Sequence, residues 1–208
     1  MSPADLSKYF MPFRPVEAQL VVKHSRFIAW LIPISNRAAI DEALQMRRKK
    51  NPDATHHCFA WRIGFDHELR AFGSDAGEPS GTAGKPILQA LESRRLTNAI
   101  CVVTRYFGGT KLGTGGLMRA YSAAAFAAID QAELVEAFPV VVLHLQYDYT
   151  FSGVVEKILH QLNSRVLSQD FAEKISCMIE IHRDAVVSAH NLLKDACSGR
   201  ISIARDSV

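Results

Sequence analysis

Gly108, Gly109, Gly113, Gly115 and Gly116 fall within nine residues, after a run that reads as a strand, Ala99 to Tyr106, and before one that reads as a helix, Leu117 to Gln131. A strand-loop-helix unit of this composition lets backbone approach a ligand. The first turn of the following helix leaves amides without internal partners beside a partial positive charge, which is a seat for phosphate or carboxylate. Arg105, Lys111 and Arg119 border the loop and Thr114 lies within it. Tyr106 and Phe107 offer stacking surfaces of the kind found at single-stranded RNA sites, although only one of two adjacent strand residues faces solvent. The expected anion or nucleic-acid site is therefore Arg105, Tyr106, Gly108, Gly109, Lys111, Gly113, Thr114, Gly115, Gly116 and Arg119. The sharper nucleotide patterns fail: Gly113 is followed by Thr114, Gly84-Lys85 by Pro86, and Met118 stands where a dinucleotide fingerprint has its third glycine. The alternative is a set of tight turns and a close helix-sheet contact served by glycine alone.

A second constellation is His56, Cys58, Asp75 and Glu78, the residues a small hydrolase or other enzyme would use here. The adjacent His56 and His57 diverge on a strand, and no second ligand pair stands at zinc spacing, so no metal and no cofactor is expected. Asp75 and Glu78 lie in the glycine-rich stretch Gly73 to Lys85, where carboxylates commonly cap turns. Ser80 is not a nucleophile elbow, because Glu78 stands where the first glycine belongs. Without a complete catalytic set, a non-enzymatic role is the expected one.

With 48% apolar and 22% charged residues, the 208-residue chain has the proportions of a globular protein of one large or two small domains. The longest apolar runs, such as Ala123 to Ile129, are too short to cross a bilayer. The start, MSPADLSKYF, lacks the basic and apolar segments of an export signal, so a cytoplasmic location with no membrane partner is expected. Four separate cysteines read as reduced packing thiols. The net charge of +3 is uninformative, but it divides unevenly: 17 basic and 13 acidic residues up to position 136, 7 and 8 beyond it. From Ser93 to Ile129 there are Arg94, Arg95, Arg105, Lys111 and Arg119 and no acid, a segment that attracts anions.

The elements that position these residues follow from pattern. After a loose amino-terminal arm, Val16 to Lys23 and Phe27 to Ile34 read as a hairpin, and Asn36 caps a helix ending in Arg47-Arg48-Lys49-Lys50, four cations that favour its dipole. Strands at Thr55 to Ile63 and Glu68 to Phe72, a helix at Pro86 to Arg95, and Ala99 to Tyr106 as the central strand complete a β-α domain, residues 1–136. Residues 137–208 read strand Val140 to Tyr147, helix Ser152 to Leu162, strands Arg165 to Asp170 and Lys174 to Ile181, helix Asp184 to Ala196 and strand Arg200 to Ile203. This βαββαβ order is the ferredoxin-like one, and the fold class is α+β with two domains.

The segments Lys23-His24-Ser25-Arg26-Phe27, His56-His57-Cys58-Phe59-Ala60-Trp61, SDAGEPSGTAGKPIL from Ser74 and VVTRYFGGTKLGTGGL from Val102 resemble the YigZ/IMPACT family. One departure is Ala76, where the family commonly has a second aspartate. The resemblance implies a first domain similar to the second domain of ribosomal protein S five and a second similar to the last domain of elongation factor G, both of which work on the ribosome. Eukaryotic relatives regulate the amino-acid-starvation response by binding a protein partner. The expectation is a non-enzymatic, translation-associated regulatory protein whose partners are RNA or the ribosome, or a protein in translation control. The alternatives are the hydrolase and a protein-protein adaptor in a stress response, the last marked by an exposed apolar patch.

Overall fold

The computed structural model describes residues 8–205, and the chain divides after Ala137 into two compact units. The first contains β1 (Tyr9–Pro12), β2 (Val16–Val22), β3 (Ser25–Pro33), α1 (Arg37–Lys50), β4 (His56–Ile63), β5 (Arg70–Ser74), α2 (Gly84–Ser93), β6 (Ala99–Tyr106), α3 (Thr114–Gln131) and β7 (Leu134–Ala137). A five-stranded antiparallel sheet runs β2-β3-β6-β4-β5, so the apolar run at Ala99 is its middle strand. One face packs on α2 and α3 through Phe27, Leu31, Ile87, Leu91, Val103 and Tyr121. The other packs on α1 through Ile32, Ile40, Leu44, Trp61, Ile100 and Val102. Covering both faces buries β6 from Ala99 to Arg105, and each Val, Leu or Ile so enclosed contributes about 1.5–3 kcal/mol.

The arm expected to be loose is partly a strand, and its first seven residues lie outside the described ones. β1 pairs antiparallel with β7, and its backbone also meets the chain after α2, with Phe10 N–H donating to the Arg95 carbonyl at 3.1 Å and Thr97 N–H to the Phe10 carbonyl at 2.8 Å. The glycine-loop helix begins at Thr114, not Leu117, and takes Gly115 and Gly116 into its first turn.

Helix α1 starts where Asn36 Oδ1 accepts the Ala39 N–H at 3.0 Å. Of the four cations at its end, Arg47 is 1% exposed. Its Nε donates to Thr104 Oγ1 at 2.8 Å, its Nη2 to the Ile28 carbonyl at 3.3 Å, and its Nη1 pairs with Glu17. Burial alone would raise the Glu17 pKa; the bonds from Arg47 and Lys50 outweigh it and hold the carboxyl below its ordinary range.

The second unit contains β8 (Val140–Tyr147), α4 (Ser152–Gln161), β9 (Arg165–Phe171), β10 (Ile175–His182), α5 (Val186–Ala196) and β11 (Ile201–Arg205), with sheet order β11-β8-β10-β9, all antiparallel. β10 alternates buried and half-buried residues, because both helices cover a single face over Leu143, Leu145, Val155, Leu159, Ile179 and Leu193. This is the ferredoxin-like arrangement. Among the described residues no helix is long and apolar enough to cross a membrane.

Replacing Arg47 by Ala removes a buried charge with all its bonds and leaves a void. Denaturant titration should show a loss of about 3 kcal/mol, and Glu17→Gln, which leaves the buried Arg47 charge without its carboxylate, should cost more than the roughly 1 kcal/mol ceiling of an exposed pair.

Candidate functional site

Four segments meet at one end of the five-stranded sheet: the β2-β3 turn, the start of β4, the loop after β5, and the loop after β6. In the turn, Lys23 and His24 have φ of 44° and 66°, and Val22 pairs with Ser25. This is the two-residue hairpin geometry that favours Asn-Gly, held here by two bulky residues. The neighbouring loop fixes it. The buried Ser25 hydroxyl accepts the Gly108 N–H at 3.1 Å and Arg105 Nη2 at 3.3 Å. Gly108 lies so close beneath that a Cβ on it would stand 2.1 Å from the His24 carbonyl carbon. Only glycine fits there.

Beneath the turn lies a buried polar network. Arg105 is 5% exposed. Its Nη1 donates to Glu78 Oε1 at 2.6 Å, and its guanidinium lies 5.4 Å and 5.5 Å from the Phe27 and Phe107 ring centres. The same carboxylate oxygen accepts the Tyr121 hydroxyl at 2.8 Å, and His56 Nε2 stands 3.9 Å away. Since a carbonyl only accepts, His56 Nδ1 donates to the Ala76 carbonyl at 3.0 Å, which turns Nε2 toward Glu78. Asp75 caps the start of α2: its carboxylate accepts the N–H groups of Gly81, Ala83 and Gly84 at 2.8–2.9 Å. Burial alone would raise its pKa; the three donors together outweigh it and hold Asp75 below the usual carboxylate range.

Cys58 lies 2.9 Å from the Asp75 carbonyl and 3.3 Å from the Tyr121 hydroxyl. Burial pushes its thiol up to about 12, and the Glu78 and Asp75 charges add to that against the opposing Tyr121 hydrogen bond. Burial also raises Tyr121. The structure thus gathers His56, Cys58, Asp75 and Glu78 around one point, as the hydrolase alternative requires, but shifts the thiol away from the thiolate a nucleophile needs. His57 sits on the opposite face with Nδ1 3.1 Å from Thr104 Oγ1. Among the described residues no group of three His, Cys, Asp or Glu could hold a metal.

The rest of the glycine loop is open. Gly109 and Gly113 have φ of 81° and 70°, and a Cβ on either would meet nothing within 4 Å. Phe107 is 47% exposed. The N-terminus of α3 has no side-chain cap, and Thr114 and Gly115 are exposed while Gly116 is half-buried. Lys111 and Arg119 are exposed, and Arg119 Nη1 reaches back over the first turn to 3.5 Å from where a Cβ on Gly115 would lie. Tyr106 faces the other side, its hydroxyl bound by Asn51 Nδ2 at 2.9 Å and donating to Asp53 at 3.2 Å, with the Arg26 guanidinium 4.3 Å over its ring. Arg105 and Gly108 therefore serve the interior: one charge is neutralised by Glu78 and one amide is taken by Ser25. Sequence reasoning missed Ser25 and Tyr121. A single tyrosine in an alanine-rich helix is the signal for the second, since a buried tyrosine hydroxyl needs a partner.

An antiparallel sheet layered between helices, clamped by an arginine-glutamate pair under a glycine loop and followed by a ferredoxin-like module, defines a two-domain α+β class. The Impact N-terminal domain family matches residues 23–129. The chain belongs to the IMPACT family. It is 31% identical over 199 residues to the IMPACT family member YigZ of Escherichia coli, covering 95% of this chain and 98% of that one, and 39% identical over 171 residues to YvyE of Bacillus subtilis, covering 82% and 78%. A solved structure of a hypothetical protein shares the fold over 97% of this chain and 98% of its own, at TM-score 0.68 and 30% identity. The two-domain translational regulator Yih1 aligns over 59% of this chain and 47% of its own, at TM-score 0.36 and 24% identity.

Gly108→Ala should lower stability by about 2–3 kcal/mol through the clash with His24, read as an earlier denaturation midpoint. All four cysteines are buried, so a thiol reagent at pH 8 should label none of them quickly in the native protein and all of them after unfolding; a fast-reacting Cys58 would restore the nucleophile reading.

Proposed function

We propose that the chain is a non-enzymatic, translation-associated regulatory protein whose first domain contacts RNA, on the ribosome or free, through the outer rim of the glycine loop. One observation carries the reading: Lys111 and Arg119 are exposed beside the uncapped amides of α3, on a stretch from Ser93 to Ile129 without an acidic residue. Backbone donors and cations converging on open solvent suit a phosphate chain. Family membership supports the translational setting through the resemblance to ribosome-working domains. The buried network supports it differently: it holds the rim in place without offering an activated nucleophile, acid or metal. Phe107, half exposed beside the loop, adds an apolar face on which a base can stack.

Within this reading Arg105 and Gly108 are positioning residues, and Tyr106 lies on the other face of the sheet. Gly109, Gly113, Thr114, Gly115 and Gly116 supply backbone, while Lys111 and Arg119 supply charge.

Binding to a single-stranded oligonucleotide and co-sedimentation with ribosomes should both weaken as salt rises. Joint replacement of Lys111 and Arg119 by Ala should flatten the slope of log K against log salt by about 1.4, two phosphate contacts at roughly 0.7 each. Arg105→Ala should instead lower the melting temperature. An unchanged slope in the Lys111/Arg119 variant overturns the proposal.

A further inference from the structure

Helix α3 carries a second surface, which shares Arg119 and Gly116 with the polyanion rim but is otherwise apolar. Two apolar depressions run along its outer side. The larger, about 440 Å³, is floored by Pro86, Met118, Ala123 and Phe126 between α2 and α3. The smaller, about 270 Å³, is floored by Val22, Leu112, Gly116 and Ala120 between α3 and the end of β2. Arg119 and Ala123 line both, so they form the ridge between the two. Met118 is 41% exposed although the helix is otherwise built to bury its apolar face.

The spacing along this face is that of a helix seat. Met118, Ser122 and Phe126 stand four residues apart, the row spacing along which helix surfaces interdigitate, and the small Ala123 on the ridge lets another helix axis come close. The charge on the face has one sign. Arg119 stands between the depressions and Lys23 borders the smaller one. The acid at the far end of α3, Asp130, is paired with Arg94 at 2.7 Å, and that guanidinium lies 5.6 Å over the Phe126 ring.

From this geometry we infer that the α2-α3 face docks an acidic amphipathic helix of a protein partner, which sets aliphatic or aromatic side chains into the two depressions and carboxylates against Arg119 and Lys23. Carbon-lined floors decide between the macromolecular classes. Removing aliphatic side chains from water drives their burial there, whereas a phosphate chain gains nothing from Met118, Phe126 or Leu112. The cations then set the sign and orientation of the partner. This docking surface meets the polyanion site at Arg119 and Gly116, and differs from it in the apolar contacts at Pro86, Met118, Ala123 and Phe126 along the body of α3.

The test selects binders to the full chain from a random library of peptides about 20 residues long, roughly 30 Å when helical. The selected peptides and a uridine oligonucleotide are then titrated against the wild-type chain and a Met118→Gln/Ala123→Gln double variant. Both positions are exposed and glutamine is a good helix former, so melting should be unchanged; a single Ala123→Gln variant repeats the measurement should it not be. The expected result is a consensus of Asp or Glu flanking apolar residues three or four apart, with affinity falling about tenfold or more in the variants while oligonucleotide binding holds. A basic or neutral consensus, or peptide affinity indifferent to the substitutions, overturns the inference. Parallel loss of oligonucleotide binding would overturn it in favour of a nucleic-acid face, and a wild-type dimer abolished by the substitutions would overturn it in favour of a second copy of the chain.

Discussion

A carboxylate and a guanidinium buried 2.6 Å apart, Glu78 on Arg105, hold together segments from three parts of the first domain. Removing both groups from water is costly, and their attraction offsets this only where the remaining donors and acceptors are also satisfied. Here Tyr121 donates to the same carboxylate oxygen and Arg105 reaches Ser25. Losing one member of such a pair costs about 3–5 kcal/mol, because its partner is left charged and buried. The loop after β5, the end of β6 and the turn before β3 are therefore positioned as a unit. The turn's left-handed Lys23 and His24 are tolerated because Ser25 and Gly108 fix their surroundings.

What the sequence revealed follows the range of the forces involved. The central strand announced itself because helices on both faces make it apolar throughout, and the βαββαβ order of the second unit because each helix shows one buried stripe. The β1-β7 pair was hidden, since four residues carry too little alternation and their partner is distant in the chain. The sequence pattern puts the start of α3 three residues late for a local reason. Gly115 and Gly116 argue against a helix interior, but first-turn amides need no bond to a residue four earlier, so glycine is tolerated there at less cost.

Counting charge along the chain overstated the cationic character of the segment from Ser93 to Ile129. Its acids lie outside it in sequence and against it in space. Arg105 is matched by Glu78, and Arg94 by Asp130 just beyond the segment's end. Arg95 lies 5.4 Å over the Tyr9 ring. Lys111 and Arg119 are the cations of the stretch that the fold leaves facing solvent without an acidic partner among the described residues. The same correction applies to α1, where one of four terminal cations, Arg47, belongs to the core. A charge window locates a surface only after the buried ion pairs have been taken out of it.

The cluster at His56, Cys58, Asp75 and Glu78 shows why convergence of reactive side chains is not sufficient for catalysis. An active-site thiol is placed beside positive charge or an unopposed helix terminus, so that the thiolate is favoured. Cys58 is buried and has two carboxylates as neighbours, and both effects favour the proton staying. Asp75, the carboxylate nearest the start of α2, spends both oxygens on three amides, so it fixes the loop, and it meets Cys58 through its backbone carbonyl. The charged and hydroxyl groups of the network bond to other parts of the chain, the buried Arg105 Nε excepted. Such an arrangement preorganises a surface, and a preorganised surface loses little conformational freedom when it binds. That is the physical link between the buried pair and an exposed rim whose glycines would otherwise leave it slack.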